Sequence, residues 1–231
     1  MRAISADVEA ARRSHERLLA ALSGHDGGER LGDAHVGLAS LLPGWTVGHV
    51  LTHIARNADG HRRMLDAASR GEIAEQYPAF PGGDSRAARA AEIDQGAARS
   101  ADALVEDLRR SAQLLEDAWA ACTPEGWTGH GRGTDGALIA VADLPFRRRR
   151  EVEVHRHDLG SGVPGASAPG EWPRDYVRAE MTRMRMAWKA RRPMGLGELP
   201  AEITALTEHD QLAWLLGRLA LPGVPPADLM R

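Results

Sequence analysis

The stretch 146–160, FRRRREVEVHRHDLG, constrains the fold of this chain more than any other segment. Read as a helix, it places four polar residues on one stripe, at spacings of three, four and three: Arg148, Glu151, His155 and Asp158. A carboxylate and an imidazole one turn apart form half of a first-row metal site, and a further ligand must then come from another helix. On spacing alone a solvated Glu–His pair is the commoner arrangement, and a metal site in a helical bundle is the alternative.

The further ligand is predicted on a second helix, which follows the helix-breaking pair Pro43-Gly44. Thr46 is a suitable N-cap, and apolar residues follow it at helical spacing. His53 lies at the edge of that apolar stripe and so borders the core. A lone histidine there is more often a hydrogen-bonded residue at the core boundary than a metal ligand, so spacing alone does not favour ligation.

Composition limits the class of protein. The 231 residues, 43% of them hydrophobic, can form one large domain or two smaller ones. A net charge of −3 gives no general attraction to nucleic acid or to anionic membranes. The single cysteine excludes an internal disulfide framework, and neither a secretory signal nor an apolar run of ~20 residues is present. We expect a cytoplasmic protein that binds neither nucleic acid nor membrane.

Helical periodicity predicts four helices in the first part of the chain. They are expected near residues 4–23, after Thr46, from about Ser85 to Cys122, and from Asp143 to Gly160. Cys122 continues the apolar stripe of the third helix, which favours a small buried hydrophobe over a reactive thiol. The four arginines 147–150 point in different directions on a helix, which favours a solvated surface, with one arginine turned toward the site, over a phosphate-binding face.

The glycine-rich segment 126–136 contains GRGTDG, which matches a dinucleotide-binding fingerprint in letters only. No apolar strand precedes it, and no alternation of strands and helices surrounds it. We interpret it as a turn that joins short extended segments, with a strand at 137–141.

A linker rich in Gly, Pro, Ser and Ala at 161–173 separates two domains, 1–165 and 166–231. The second domain begins with a helix whose apolar stripe is Val177, Met181, Met184 and Trp188. A strand is predicted at 200–206, followed by a last helix from Glu208 to Ala220 with Arg218 off its apolar stripe. The fold class is therefore mainly α, with a small α+β C-terminal domain.

Three motifs resemble the mycothiol-dependent maleylpyruvate isomerase family, a branch of the DinB-like metal-binding four-helix bundles. They are PGWTVGHVLTHI at 43–54, REVEVHRHDLG at 150–160 and LAWLLGR at 212–218, in the order of the family. The resemblance implies that the metal ligands are His53, Glu151 and His155. It also implies that Arg218 binds the carboxylate of the substrate. The C-terminal domain is short for the family, so the substrate is the least constrained inference.

The resemblance implies an enzyme with a divalent metal, Zn²⁺ for this donor set, and mycothiol as cofactors. The thiolate of mycothiol would add reversibly to maleylpyruvate and convert it to fumarylpyruvate. The partners are therefore a small carboxylate substrate and a low-molecular-weight thiol. Asp158 is either a partner that orients His155 or a surface residue. The alternatives are a metal-dependent mycothiol S-transferase for another electrophile and a non-catalytic metal-binding bundle. The oligomeric state stays open, a monomer included.

Overall fold

The computed structural model describes residues 2–81, 83–192 and 197–229. The chain divides into two compact units, Met1–Ala166 and Ser167–Arg231. Helices are the main secondary structure of the described residues, which confirms the predicted mainly α fold. None of these helices combines the length and the apolarity that crossing a membrane requires.

The first unit is built on a four-helix bundle. Its elements are α1 (Arg2–Leu22), α2 (Asp33–Val36), α3 (Val47–Ala68), α4 (Ser85–Gly96), α5 (Ala101–Ala121), β1 (His130–Arg132), β2 (Leu138–Ala140) and α6 (Leu144–Asp158). Helices α1 and α3 each pack against both α5 and α6, so these four helices enclose one core. The predicted four-helix bundle is confirmed.

Apolar side chains from all four helices fill that core. Helix α3 buries the predicted stripe Val47, Val50, Ile54, Ala58 and His61. Its partners in the main cluster include Leu18 and Leu22 of α1, Leu104 and Leu108 of α5, and Val152 of α6. Each buried leucine or valine stabilises the fold by roughly 1.5–3 kcal/mol relative to an exposed one. The packing fixes α3 against α6, the two helices that carry the candidate ligands.

The prediction of one helix from about Ser85 to Cys122 is wrong, because α4 and α5 are separate helices. The Ser100 side chain accepts a hydrogen bond from the backbone N of Ala103 and caps α5. The Asp33 carboxylate accepts another from the backbone N of Ala101, at 2.7 Å. Since Asp33 is remote in sequence, the periodicity of the segment alone does not reveal the break.

The turn between α4 and α5 lies directly against α3. A Cβ atom at position 48 would overlap the carbonyl oxygen of Ala97, so this close approach requires Gly48. The lack of a side chain at Gly48 therefore allows the turn before α5 to pack closely on the helix that carries His53.

The glycine-rich segment forms a hairpin, which confirms its interpretation as a turn. Strands β1 and β2 are antiparallel, with His130 opposite Ala140. Gly136 has a φ of 80°, a value that glycine adopts at little cost, and its backbone N donates to the carbonyl of Gly133 at 3.0 Å. After a 3₁₀ turn at Val141–Asp143, helix α6 begins with Pro145 in its first turn and ends before Gly160, as predicted.

The second unit contains α7 (Arg174–Ala190), α8 (Ala201–Thr204) and α9 (Glu208–Leu215). The predicted stripe of α7 is confirmed, since Val177, Met181, Met184 and Trp188 are all buried. The rings of Trp188 and Trp214 meet edge to face at 5.1 Å, which packs α7 against α9.

Two predictions for this unit are wrong. The strand predicted at 200–206 contains α8, because the backbone N of Thr204 donates to the Pro200 carbonyl at 2.9 Å. The last helix ends at Leu215 instead of Ala220, because Gly217 takes a φ of 73° and closes a C-terminal turn. In the described residues of this unit, β-pairing is limited to an isolated bridge, and the two-stranded sheet lies in the first unit.

Candidate metal centre

Helices α3 and α6 bring three predicted ligands to one point in the first unit. His53 lies in the second turn of α3, which Thr46 caps by accepting from the backbone N of His49. Glu151 and His155 lie one turn apart on α6, as their spacing predicts. His53 is 3% exposed, and Glu151 and His155 are partly buried. The three donors therefore meet where the core reaches the surface.

The distances among the three donor atoms fit a small metal ion. His53 Nε2 lies 2.9 Å from Glu151 Oε2 and 3.1 Å from His155 Nε2. His155 Nε2 lies 3.4 Å from the same carboxylate oxygen. Ligands bound tetrahedrally at 2.0–2.1 Å are roughly 3.3 Å apart, which is close to all three separations. Two imidazoles and a carboxylate are also ligands that zinc and related ions favour.

Asp158 fixes the orientation of His155. Its Oδ2 lies 2.8 Å from His155 Nδ1, and the Asp158 side chain is buried. The carboxylate therefore favours a proton on Nδ1, which leaves the lone pair of Nε2 directed toward Glu151 and His53. Of the two roles left open by the sequence, the contact supports the orienting one.

Burial and hydrogen bonding shift the pKa values of the three groups. Burial lowers the pKa of His53 from 6.5 to about 4, against the opposing hydrogen bond to Glu151. Burial acts to raise the pKa of Glu151, but hydrogen bonds from His155 and His53 hold it well below the usual range. Burial acts to lower the pKa of His155, and hydrogen bonds to Asp158 and Glu151 raise it. An ionised carboxylate and a neutral His53 are the forms that bind metals.

Arg89 and Trp45 adjoin the cluster, and neither was singled out from the sequence. Arg89 Nη2 lies 3.3 Å from His53 Nδ1, and its Cζ lies 5.5 Å from the centre of the Trp45 ring. The Trp45 ring also lies 5.6 Å from the ring of His53. Arg89 belongs to α4, which the sequence pattern merges with α5, so its position against α3 was not predictable from periodicity.

The prediction that one arginine of α6 turns inward and the others are solvated is wrong in number, because both Arg148 and Arg149 are buried, at 0% and 6% exposed. Arg148 Nη1 donates to the Ile54 carbonyl at 2.7 Å and to Asn57 Oδ1 at 3.0 Å. Burial lowers the pKa of Arg148 to about 10, so it stays charged near neutral pH. A buried positive charge thus lies one turn before Glu151 on the same helix.

The predicted burial of Cys122 is only partly correct. The residue follows the last turn of α5 with an extended backbone, and its side chain is half-buried at the edge of an apolar cluster. Its Sγ lies 3.8 Å from Ser69 Oγ, and burial raises the pKa of the thiol. These surroundings disfavour a thiolate.

Arg218 lies just after α9, beyond the helix on which it was expected. Its backbone N donates to the Ala213 carbonyl at 2.7 Å, and its Nη1 donates to the Leu216 carbonyl at 2.8 Å. It belongs to the second unit, whereas the three candidate ligands belong to the first.

A surface cleft of about 570 Å³ opens on the first unit near the start of α3. Polar side chains line much of it, including Asp33, Thr46, His49, Asp94, Arg99 and Ser100. His49 precedes His53 by one helical turn, and the Trp45 ring stacks on it at 6.2 Å. Trp45 thus contacts both a histidine of the cleft and a histidine of the candidate metal centre.

Comparison with known proteins identifies the family. Residues 8–160 match the mycothiol maleylpyruvate isomerase N-terminal domain, and this match spans most of the chain. The chain belongs to this family. All three candidate ligands and Arg89 lie within the family domain, whereas Arg218 lies outside it.

Solved structures have the same fold. The crystal structure of the mycothiol-dependent maleylpyruvate isomerase and that of a histidine-to-alanine mutant each align with a TM-score of 0.74. Each is 23% identical in sequence, over 93% of this chain and 89% of the solved chain. No curated protein sequence matches the chain. At this identity the likeness establishes the mainly α fold.

Proposed function

We propose that the protein is a metal- and mycothiol-dependent cis–trans isomerase that converts maleylpyruvate to fumarylpyruvate. The observation that carries the proposal is the meeting of His53, Glu151 and His155 within 2.9–3.4 Å, in a member of the isomerase family. The residues fit a divalent ion, for which Zn²⁺ is the first choice.

The three side chains would hold the ion, each in a defined protonation state. Glu151 is ionised, His53 is neutral, and Asp158 keeps the proton of His155 on Nδ1. A bound Zn²⁺ would supply a positive charge that stabilises the thiolate form of a small thiol near neutral pH. Three protein ligands would leave such an ion accessible to that thiol, as in catalytic zinc sites.

The thiol would come from mycothiol and not from the protein. Cys122, the single cysteine of the chain, is half-buried with a raised pKa, so it is a poor nucleophile. The cleft beside His49 is large enough for the body of a low-molecular-weight thiol. We therefore expect Cys122→Ala to keep its activity.

The reaction consumes no thiol. A sulfur–carbon bond forms as the double bond of the substrate becomes single, the substrate rotates about that bond, and the sulfur–carbon bond breaks to restore the double bond. In this proposal the first domain (1–165) binds the metal, and the second (166–231) supplies Arg218 to hold a substrate carboxylate through paired hydrogen bonds.

The test combines metal analysis with an isomerisation assay, with and without mycothiol. The wild-type protein should bind one divalent ion and isomerise maleylpyruvate only when mycothiol is present. His53→Ala and His155→Ala should lose both the ion and the activity but stay folded, because neither change alters the apolar core. His25→Ala, at an exposed position in a loop, is the matched control and should lose neither.

The same assay separates the alternatives. Stoichiometric consumption of mycothiol would show an S-transferase instead of an isomerase. A retained ion without any thiol-dependent reaction would show a non-catalytic metal-binding bundle. Full metal content in both histidine variants would contradict the ligand assignment itself.

A further inference from the structure

Arg89 is a cation next to the candidate metal centre. Its Nη2 lies 3.3 Å from His53 Nδ1, and the guanidinium lies over the ring of Trp45 at 5.5 Å. Within residues 2–81, 83–192 and 197–229, no carboxylate lies at ion-pair distance from it. Other arginines of the same unit, such as Arg56 and Arg99, pair with Asp107.

The two histidines of the cluster have opposite partners at Nδ1. His155 Nδ1 lies 2.8 Å from the carboxylate of Asp158, which accepts a hydrogen bond. His53 Nδ1 lies beside Arg89, and a guanidinium offers only donors. A neutral histidine that binds a metal through Nε2 carries its proton on Nδ1. His53 and Arg89 would then be two neighbouring donors without an acceptor.

A carboxylate is the acceptor that this pair of donors suits. The guanidinium is a planar fork that binds a carboxylate through two parallel hydrogen bonds. Trp45 covers one face of that fork, which leaves its N–H edge for a ligand. Arg89 is half-buried, so an ion pair formed there is less screened by water than one on the open surface.

We propose that Arg89 binds a carboxylate of the substrate beside the candidate metal ligand His53. This inference rests on the proposed function and deepens it, because the maleyl half and the pyruvate half of maleylpyruvate each carry a carboxylate. The guanidinium of Arg89 would bind one of these two groups through paired hydrogen bonds. Arg89 belongs to the same unit as the three ligands, and the contact of α4 with α3 places it beside His53.

The experiment measures binding of maleate, a dicarboxylate with the same cis double bond, to the zinc-loaded full chain by titration calorimetry. The variants are Arg89→Gln and Arg89→Lys, and the matched control is Arg86→Gln, which removes an exposed arginine from the first turn of the same helix. Zinc content is measured for every variant. Dimethyl maleate, which has no charge, is titrated in parallel.

We expect Arg89→Gln to weaken maleate binding roughly tenfold to hundredfold, at unchanged zinc content. Arg89→Lys should recover only part of that loss, and Arg86→Gln should bind as the wild type does. Binding of dimethyl maleate should be the same in all of them, because it offers the guanidinium no anionic oxygen.

Three results would overturn the inference. Wild-type maleate affinity in zinc-loaded Arg89→Gln would show that the guanidinium contacts no carboxylate. Loss of zinc in Arg89→Gln would show that Arg89 instead positions His53. A zinc-loaded wild-type protein that binds no maleate would reject the carboxylate ligand. Arg89-dependent maleate binding without thiol-dependent isomerisation would instead refute the proposed function and leave this inference standing.

Discussion

Arg148 donates from Nε to Nε2 of His15 over 2.9 Å and so joins α6 to α1 inside the bundle. Because Nε2 accepts, the proton of a neutral His15 lies on Nδ1, which contacts Oε1 of Glu116 on α5 at 2.7 Å. Arg148 also binds Ile54 and Asn57 of α3. One buried polar network therefore connects all four helices of the bundle.

Arg148→Met should destabilise the fold strongly. The side chains are similar in length, but the change leaves the buried acceptors on His15 and Asn57 without a donor. We expect a loss of about 3 kcal/mol in the free energy of unfolding. Urea unfolding of the metal-free protein measures it. Arg13→Ala, which removes an exposed pair with Glu9, should change that free energy by less than about 0.5 kcal/mol.

The metal-free protein should lose stability as the pH falls from 6.5 to 4. Burial lowers the pKa of His15 from 6.5 to about 4, so between these values the unfolded chain binds a proton that the folded chain does not. The free energy of unfolding should fall by up to about 3 kcal/mol from this residue, and no further below pH 4. His53 and His61, whose pKa values burial also lowers, contribute with the same sign.

His15→Gln identifies the contribution of that residue. It removes the titrating group, so the dependence of the unfolding free energy on pH between 6.5 and 4 should become shallower than in the wild type. Chelator is kept in both samples, so that metal binding does not contribute. The same slope in both proteins would show that His15 is not neutral in the folded state.

Asp158→Ala should weaken metal binding about 10- to 100-fold, because His155 loses the carboxylate that orients its ring. Asp158→Asn, which keeps the shape but not the charge, should cost less. Competition with a chromogenic chelator measures the affinity. Asp117→Asn, at an exposed position of α5, is the control. Wild-type affinity in both Asp158 variants would refute the orienting role.

Arg218→Ala should lower kcat/KM for maleylpyruvate roughly 30- to 1000-fold, equivalent to about 2–4 kcal/mol, through loss of a bidentate carboxylate contact. Metal content should not change. Arg218→Lys should recover little, because an ammonium lacks the planar fork. Steady-state kinetics on the metal-loaded variants measure kcat/KM. Values near the wild type in both variants would mean that Arg218 does not bind the substrate.

The sequence predicted the elements whose determinants are local. Thr46 and the apolar spacing after it define the start of α3, and Pro145 and Gly160 bound α6. The meeting of Glu151 with His155 follows from helical geometry alone. The early end of α9 is also encoded locally, since glycine is a common helix terminator and Gly217 follows the helix, but a leucine pattern continues past it.

The remaining features depend on residues far apart in the chain. Arg148 can be buried because it donates to acceptors on His15 and Asn57. These residues lie 133 and 91 positions away, so no local pattern shows the contacts. The break before α5 likewise depends on Asp33, 68 positions from the amide that it binds. Contacts of this kind come from tertiary packing, and periodicity describes one element at a time.

Helix α4 is anchored far more weakly than α3. Over twelve residues it buries only Ala88, Ile93 and Gly96, whereas most of the residues of α3 are buried. Its amide protons should therefore exchange with deuterium through local opening, well before those of α3, while the rest of the bundle stays closed. Since α4 carries Arg89, a ligand that binds the guanidinium would slow the exchange of the α4 amides, and this change would detect binding.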